Sequence, residues 1–378
     1  MQMLIKEISQ PAIIKVVGVG GGGNNAIDRM IAEGVTGVDF IGINTDYQVL
    51  RECKAQRLIE IGEKVSGGKG VGGNPELGKQ AAEESFDLIK EALSGADMVI
   101  ITTGMGGGTG TGAAPVVARA AREMNCLTIG VVTMPFEVER RDEIAELGIE
   151  NMRQWTDSMI IIHNDKVFNI IEGLSVKGMY GIIDDVLRQA VQSITGIITG
   201  KGQINRDFND VKAVLKDSQT AIIGIGECSS QEDPKEAIYR AIKHPMFENY
   251  DISKAKKLLI NMVTSSKMDA AKIPEIHKAI ESFNTMSEFP RVIGHAFEDR
   301  LDDKIRIVII ATGFKYSYGL RKPMNKFARD AKNKSKNKTD NKSAELFPLD
   351  QEFEKKETLM FDKPAYEVWK QTGRLERK

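Results

Sequence analysis

The sequence is short of the residues that most often announce a chemistry. Three cysteines, Cys53, Cys126 and Cys228, are too few and too scattered for a disulfide framework or a cysteine-based metal site. Four histidines show no metal-ligand spacing. No run of eighteen or more apolar residues occurs, which excludes a transmembrane helix. The amino terminus lacks the basic-then-apolar layout of a signal peptide, so a cytoplasmic location is expected. The formal net charge of −1 gives no general electrostatic reason to expect nucleic-acid binding. The Gly-Lys-Ser or Gly-Lys-Thr of a P-loop is missing as well. What the chain has in quantity is glycine, 36 residues heavily clustered before residue 115. Clustered glycines between apolar strands bring backbone close to a ligand.

At 378 residues the chain is too long for one minimal core, and two globular domains plus a tail are expected. Apolar runs over 13–19, 38–43, 98–103, 127–133 and 158–162 read as strands. Helical patterns over 24–33 and 75–93, and from the second glycine cluster through Met124, lie between them. This alternation predicts an α/β fold, with a parallel sheet covered on both faces. Ligands in such folds sit at the carboxyl ends of the strands, where every glycine cluster here falls. A long helix is expected over 179–198. Beyond it, strands over 220–226, 257–263, 291–297 and 305–312, with helices over 234–243 and 270–282, predict a second α/β domain joined to the first through the long helix. After Gly313 the apolar rhythm stops. Lys332, Lys334, Lys336, Lys338 and Lys342 alternate with Asn, Ser and Thr, a composition that cannot bury enough surface to order a chain. An aromatic cluster over 361–369 interrupts this tail and reads as a docking peptide, or as a strand packed on the body.

Two glycine loops carry the chemistry. The first, Gly18-Val19-Gly20-Gly21-Gly22-Gly23, follows a strand and opens a helix at Asn24 and Asn25. Its backbone N–H groups and the helix N-terminus suit an anion. The second runs from Gly104 through Gly106, Gly107, Gly108, Thr109, Gly110, Thr111 and Gly112, again between a strand and a helix start. Together they bring two helix N-termini toward one crevice, with donors enough for a chain of phosphates. Topology fills the rest: Asn44 and the 66–74 loop, with Gly70, Gly72, Gly73 and Asn74, lie past the second run, Pro135 past the fourth and Asn164 past the fifth. Tyr180 and Asp184 share a face of the long helix. A tyrosine ring can stack on a base, and a carboxylate accepts the ring N–H and amino protons of guanine, whereas adenine's unprotonated N1 faces it badly. The plainer reading makes Tyr180 a core residue and Asp184 an ordinary acid near a helix N-terminus. An NAD-dependent oxidoreductase also opens on a glycine-rich turn. It needs an acid at the end of the second strand about twenty positions on, whereas Asp39 begins that strand and Asp46 comes later.

Read with its surroundings, GADMVIITTGMGGGTGTGAAPVVA resembles the signature of the tubulin superfamily, and within it the FtsZ family of bacterial cell-division GTPases. The likeness covers about residues 12–314. GVGGGGNN is similar to the family's first phosphate loop, GGNPELG to the loop approaching the terminal phosphate, and IHNDK to the Asn-Asp pair. Asn205-Arg206-Asp207-Phe208-Asn209-Asp210 matches the family's NxDxxD loop. By spacing alone, Asp207 would cap a helix with Asp210 in its first turn. The resemblance implies instead that Asn205, Asp207 and Asp210 enter the neighbouring subunit's nucleotide site and activate water there. It implies a GTPase forming head-to-tail filaments, since a nucleotide on one end and a catalytic loop on the other make a heterologous contact. It further implies Mg²⁺ held mainly through phosphates and water with no direct side-chain ligand, and it leaves room for a monovalent cation. By the same resemblance, Glu139 contacts ribose, and a ring forms at the mid-cell division site. Asp362-Lys363-Pro364-Ala365-Tyr366 resembles the peptide that meets membrane anchors and regulators, without membrane insertion by the chain itself.

On that basis the expected organisation is a lead over 1–11, a GTP-binding domain over 12–178, a central helix over 179–200 and a catalytic loop with its helix over 201–218. A C-terminal domain over 219–314, a disordered linker over 315–360 and a partner-binding peptide over 361–378 follow. The chain departs from the family's PFxxEGxxR, carrying Arg140 at the glycine and Glu143 at the arginine. His163 replaces a frequent proline, and Arg206 a usually apolar residue. Glu143 and Arg206 motivate an alternative, a divergent scaffold that binds GTP and polymerises with little hydrolysis.

Overall fold

Apolar runs bounded by glycine become strands here, and the sheet they form decides where every loop opens. The structure, a computed structural model, describes residues 11–168, 176–199, 207–247, 252–283 and 291–314. Asn205, Arg206, the Lys-rich segment and the 361–378 peptide lie outside the described residues. All described residues belong to one compact unit. The strands are β1 (Ile14–Val19), β2 (Asp39–Asn44), β3 (Arg57–Glu60), β4 (Met98–Gly104), β5 (Leu127–Met134), β6 (Ser158–His163), β7 (Gln219–Ser229), β8 (Lys257–Thr264), β9 (Arg291–Phe297) and β10 (Lys304–Phe314). They form one sheet in the order β3-β2-β1-β4-β5-β6-β7-β10-β8-β9. The strands from β3 to β7 in that order pair in parallel, whereas β10 runs antiparallel to both β7 and β8.

Successive side chains of a strand point to opposite faces, and both faces here are covered. Val16, Phe40, Ile100 and Ile129 enter one core, under the helix Gly20–Ala32 and the central helix Val176–Thr199. Val17, Ile41, Ile101 and Val132 enter the other, under the helices Pro75–Glu84, Phe86–Leu93, Thr109–Glu123 and Asp142–Arg153. Three further helices, Phe208–Leu215, Lys235–Ile242 and Lys272–Phe283, pack in the β7 to β10 half.

Three details differ from the sequence pattern. β3 was not expected, because it is four residues long and only Ile59 in it is buried. The first helix begins at Gly20 and not at Asn24, so the glycine cluster is itself the first turn. The expected helix over 75–93 breaks at Ser85, whose backbone leaves the helical region and whose Oγ accepts the Gly62 N–H at 3.0 Å. The three cysteines are buried and free, and burial pushes the Cys53 and Cys228 thiols up to about 11, out of reach of nucleophilic work. Among the described residues no helix is long and apolar enough to cross a membrane.

Candidate functional site

Parallel pairing of β2, β1, β4, β5 and β6 brings their carboxyl ends to one edge, and the glycine loops meet there. A Cβ on Gly20 would lie 2.9 Å from the Gly110 nitrogen, and one on Gly22 would lie 3.2 Å from that of Gly104. A Cβ on Gly108 would meet the Asn74 nitrogen at 2.8 Å, and Gly112 is closed in by the Pro75 carbonyl. These glycines let three loops pack backbone against backbone. Gly21 and Gly107 differ from them. An added Cβ on either meets nothing within 4 Å, and neither has positive φ, so no neighbour within the fold accounts for glycine there. Both face open space, where a ligand can approach the chain. Gly72 and Gly73 also face open space, but their positive φ, +56° and +79°, already favours glycine. Gly70 shares that conformation beside Asp46.

Most helices here offer anions nothing at their first turn. Asn74 caps Pro75–Glu84 by accepting from Glu76 and Leu77, and Asp142 and Glu143 open Asp142–Arg153. The helices Gly20–Ala32 and Thr109–Glu123 carry neither a side-chain cap nor an acidic residue in the first turn. Their N–H groups and dipole ends are left for an outside acceptor.

Buried amides fix the loops. Asn24 donates to the Gly18 carbonyl at 3.1 Å and accepts from Asn44 at 2.8 Å; Asn44 Oδ1 in turn accepts from the Thr45 and Asp46 N–H groups. Both side chains are thereby committed to shaping the crevice, whereas Asn25 is exposed. Thr111 accepts from Gly106 N–H at 2.9 Å and pins the second loop. Thr109 meets Thr45, hydroxyl to hydroxyl, at 2.7 Å. Sequence reasoning missed Thr45; its only local signal was its place beside Asn44. Pro135 stands against Gly106, where a Cβ would lie 3.2 Å from its Cγ.

The far end of the crevice is half apolar. Tyr180 is 47% exposed and meets Phe136 edge to face at 5.6 Å. Asp184, one turn on, has a carboxyl pushed up to about 6 by burial, with Arg29 opposing the shift and Asp185 adding to it. Arg29 had no local signal in the sequence. Asn164 is buried, and its Oδ1 has no hydrogen-bond partner among the described residues. A buried acceptor in that state is open to a water or a bound group. Glu139 turns back on its own loop: one oxygen accepts the Phe136 N–H at 3.1 Å, and the other stands 3.9 Å from Arg141. Arg140 adopts the left-handed conformation, φ +53°.

Asp207 and Asp210 are not in this crevice. The central helix has 24 residues, about 36 Å of rise, with Tyr180 and Asp184 near its start. Its last residue, Thr199, packs on Gly37, which precedes β2 and so lies at the amino ends of the parallel strands. Asp207 follows at that opposite end, with its Oδ1 accepting the Asp210 N–H at 2.9 Å as a helix cap. The helix it starts packs on β8, β9 and the central helix. Asn205 lies outside the described residues.

A family model described as "Tubulin/FtsZ family, GTPase domain" matches residues 13–172, and one described as "FtsZ family, C-terminal domain" matches 219–315. The cell division protein FtsZ of Buchnera aphidicola subsp. Acyrthosiphon pisum is 41% identical over 332 residues, 87% of this chain and 85% of that protein. A solved FtsZ dimer from M. jannaschii is 39% identical, with a TM-score of 0.76 over 80% of this chain and 89% of that one. A CetZ2 protofilament from Haloferax volcanii shares the fold at 19% identity, with a TM-score of 0.67 over 86% of this chain and 99% of that one.

Proposed function

This chain belongs to the FtsZ family of the tubulin superfamily, as a GTP-binding, GTP-hydrolysing protein that assembles with itself; on that premise we propose that one subunit holds GTP and the next completes the hydrolytic site. The phosphates lie on Gly20, Gly21 and Gly22 and on Gly106 to Gly110, and Gly72 and Gly73 approach the terminal one. Open space at Gly21 and Gly107, with no reason for glycine inside the fold, is the observation that carries this. Guanine stacks on Tyr180 and donates to Asp184, and its remaining polar edge or the sugar satisfies Asn164. Glu139 and Pro135 flank the ribose side.

Asp207 and Asp210 come after the end of the central helix that lies away from Tyr180 and Asp184, which supports the reading that they serve a neighbour's nucleotide and not their own. One Asp207 oxygen caps its helix, and the other has no partner among the described residues and can orient a water. Such a carboxylate positions the nucleophile, while backbone N–H donors steady the charge on the transferred phosphoryl group. Among the described residues no group of three or more His, Cys, Asp or Glu is arranged to hold a metal. The half-buried Thr109 hydroxyl, held against the buried Thr45, is nevertheless a neutral oxygen of the kind Mg²⁺ accepts beside phosphate. When bound, the ion neutralises phosphate charge. A head-to-tail contact of this kind gives filaments when its rotation does not close, and a mid-cell ring with the 361–378 peptide on anchoring partners follows as the cellular form.

GTPase rate measured against protein concentration, with sedimentation on the same samples, tests this reading. Turnover per subunit should fall steeply as filaments dissolve. Appreciable turnover that stays flat down to very low concentration would remove the shared site. Assembly with essentially no phosphate release would support the weakly hydrolysing scaffold, which the exposed Glu143 favours.

A further inference from the structure

We propose that Arg141 is the cation that reads the terminal phosphates of the bound nucleotide, an inference that rests on the phosphate-loop reading above. A Cβ on Gly106 would lie 3.1 Å from the Arg141 Cβ and 3.5 Å from its carbonyl oxygen, so the arginine backbone lines the second glycine loop. That backbone is held in place, because Arg141 precedes the helix Asp142–Arg153 and its carbonyl accepts the Ala145 N–H at 3.0 Å. The side chain is not held in the same way. It is 56% exposed, and its one described contact is with Glu139 at 3.9 Å, at the outer limit of an ion pair. A fixed stem at Gly106, one residue before Gly107 where the crevice is open, carries a guanidinium whose one described polar contact is that long ion pair. Phosphate oxygens take such a planar fork in pairs, which an ammonium cannot match.

The neighbouring cation is placed differently. Arg140 sits in a left-handed turn, and none of the close approaches at Gly106 involves it. Glu139 gives Arg141 its resting position: the carboxylate is anchored by the Phe136 N–H and leaves one oxygen toward the guanidinium. Arrival of a triphosphate offers a more negative partner a short swing away. Arg141 then gains contacts that a nucleoside alone cannot supply, and the benefit grows with the number of phosphates.

The test compares guanosine, GDP and GTP binding to the full chain and to Arg141→Gln, Arg141→Lys and Arg140→Gln, with thermal unfolding of each nucleotide-free variant as the fold control. The expected result for Arg141→Gln is a GTP affinity about ten- to a hundred-fold weaker, a smaller loss for GDP and none for guanosine. Arg141→Lys should recover part of the loss, Arg140→Gln should match the unaltered chain, and all should melt alike. Equal losses for the three ligands, or no loss for GTP, overturn the assignment of Arg141. If the unaltered chain binds none of the three, the phosphate-loop reading itself fails, and this inference with it.

Discussion

At the scale of single residues, the carboxyl of Asp184 makes the sharpest prediction. Burial holds it up at about 6, against an ordinary value of 3.8, with Arg29 alone pulling the other way. Guanine offers two donors, so it needs the ionised form. GTP affinity should therefore be level above about pH 7 and fall as pH drops through about 6, by at most tenfold per unit. Titration calorimetry between about pH 5 and 8 reads this directly: Asp184→Asn should lose the slope while its amide oxygen still accepts from guanine, and Asp184→Leu should lose the preference for guanine over adenine. The empty protein should show the opposite trend. Its folded state binds this proton more tightly than the unfolded chain does, so the favourable contribution present at low pH is lost as pH rises toward and through about 6. Asp184→Asn should accordingly stabilise the nucleotide-free protein at neutral pH by ~1–2 kcal/mol in denaturant unfolding. A less stable variant would mean that the carboxylate is held by contacts other than Arg29. Arg140 offers a second check on strain. A left-handed arginine costs ~1 kcal/mol relative to glycine, so Arg140→Gly should raise stability by about 0.5–1 kcal/mol without weakening guanosine binding.

At the scale of elements, the two uncapped helix starts separate glycines that serve packing from glycines that serve a ligand. Gly21 lies inside the first turn of a helix, and an added methyl there touches nothing. Gly21→Ala should leave the melting temperature unchanged or raised, by up to ~0.5–1 kcal/mol of stability, and still weaken GTP binding strongly. Gly110→Ala should do the reverse in its first effect. Its methyl would press on Thr103 and, at 2.6 Å, on the Gly104 carbonyl, a crowding of about 1–3 kcal/mol. Equal destabilisation of both variants in thermal melts would end the distinction. The strands that frame these loops were legible because long apolar runs ending in glycine leave few alternatives; those predicted over 98–103 and 127–133 match β4 and β5 within a residue at either end. β3 was not legible, since four residues with a single buried side chain carry no periodicity. The helix start at Gly20 was misplaced because glycine's low helical propensity argued for a loop, while the adjoining strands and the Gly110 contact impose the turn. The site residues were legible where they sit in the glycine loops and illegible where contact is long-range. Thr45 against Thr109 and Arg29 near Asp184 are made by strand order, and no spacing along the chain records them.

At the scale of the whole molecule, the central helix separates Tyr180 and Asp184 from the helix that Asp207 caps, and on the proposed reading this separation fixes how a defective subunit behaves in a mixture. Asp210→Ala should bind GTP as the unaltered chain does, because Asp210 lies in a helix packed on β8 and β9, away from β1 and β4 and their loops. Asp207 loses an N–H partner to no greater extent, since the Asp210 contribution to that cap is its backbone. The variant should therefore fold, load nucleotide and enter filaments. Each incorporated copy spoils the site of one neighbour and leaves its own nucleotide to be hydrolysed by the next unaltered subunit. Phosphate release per sedimented subunit should then fall in proportion to the fraction of variant, reaching a residual rate in pure variant filaments. A subunit altered at Gly107 spoils its own site instead. Mixing Asp210→Ala with Gly107→Ala, each at no more than its residual rate alone, should raise turnover, because a junction with Gly107→Ala supplying the loop and Asp210→Ala supplying the nucleotide contains both intact parts. Sites carried within one subunit predict no recovery at any ratio, so phosphate release across a mixing series separates the two arrangements.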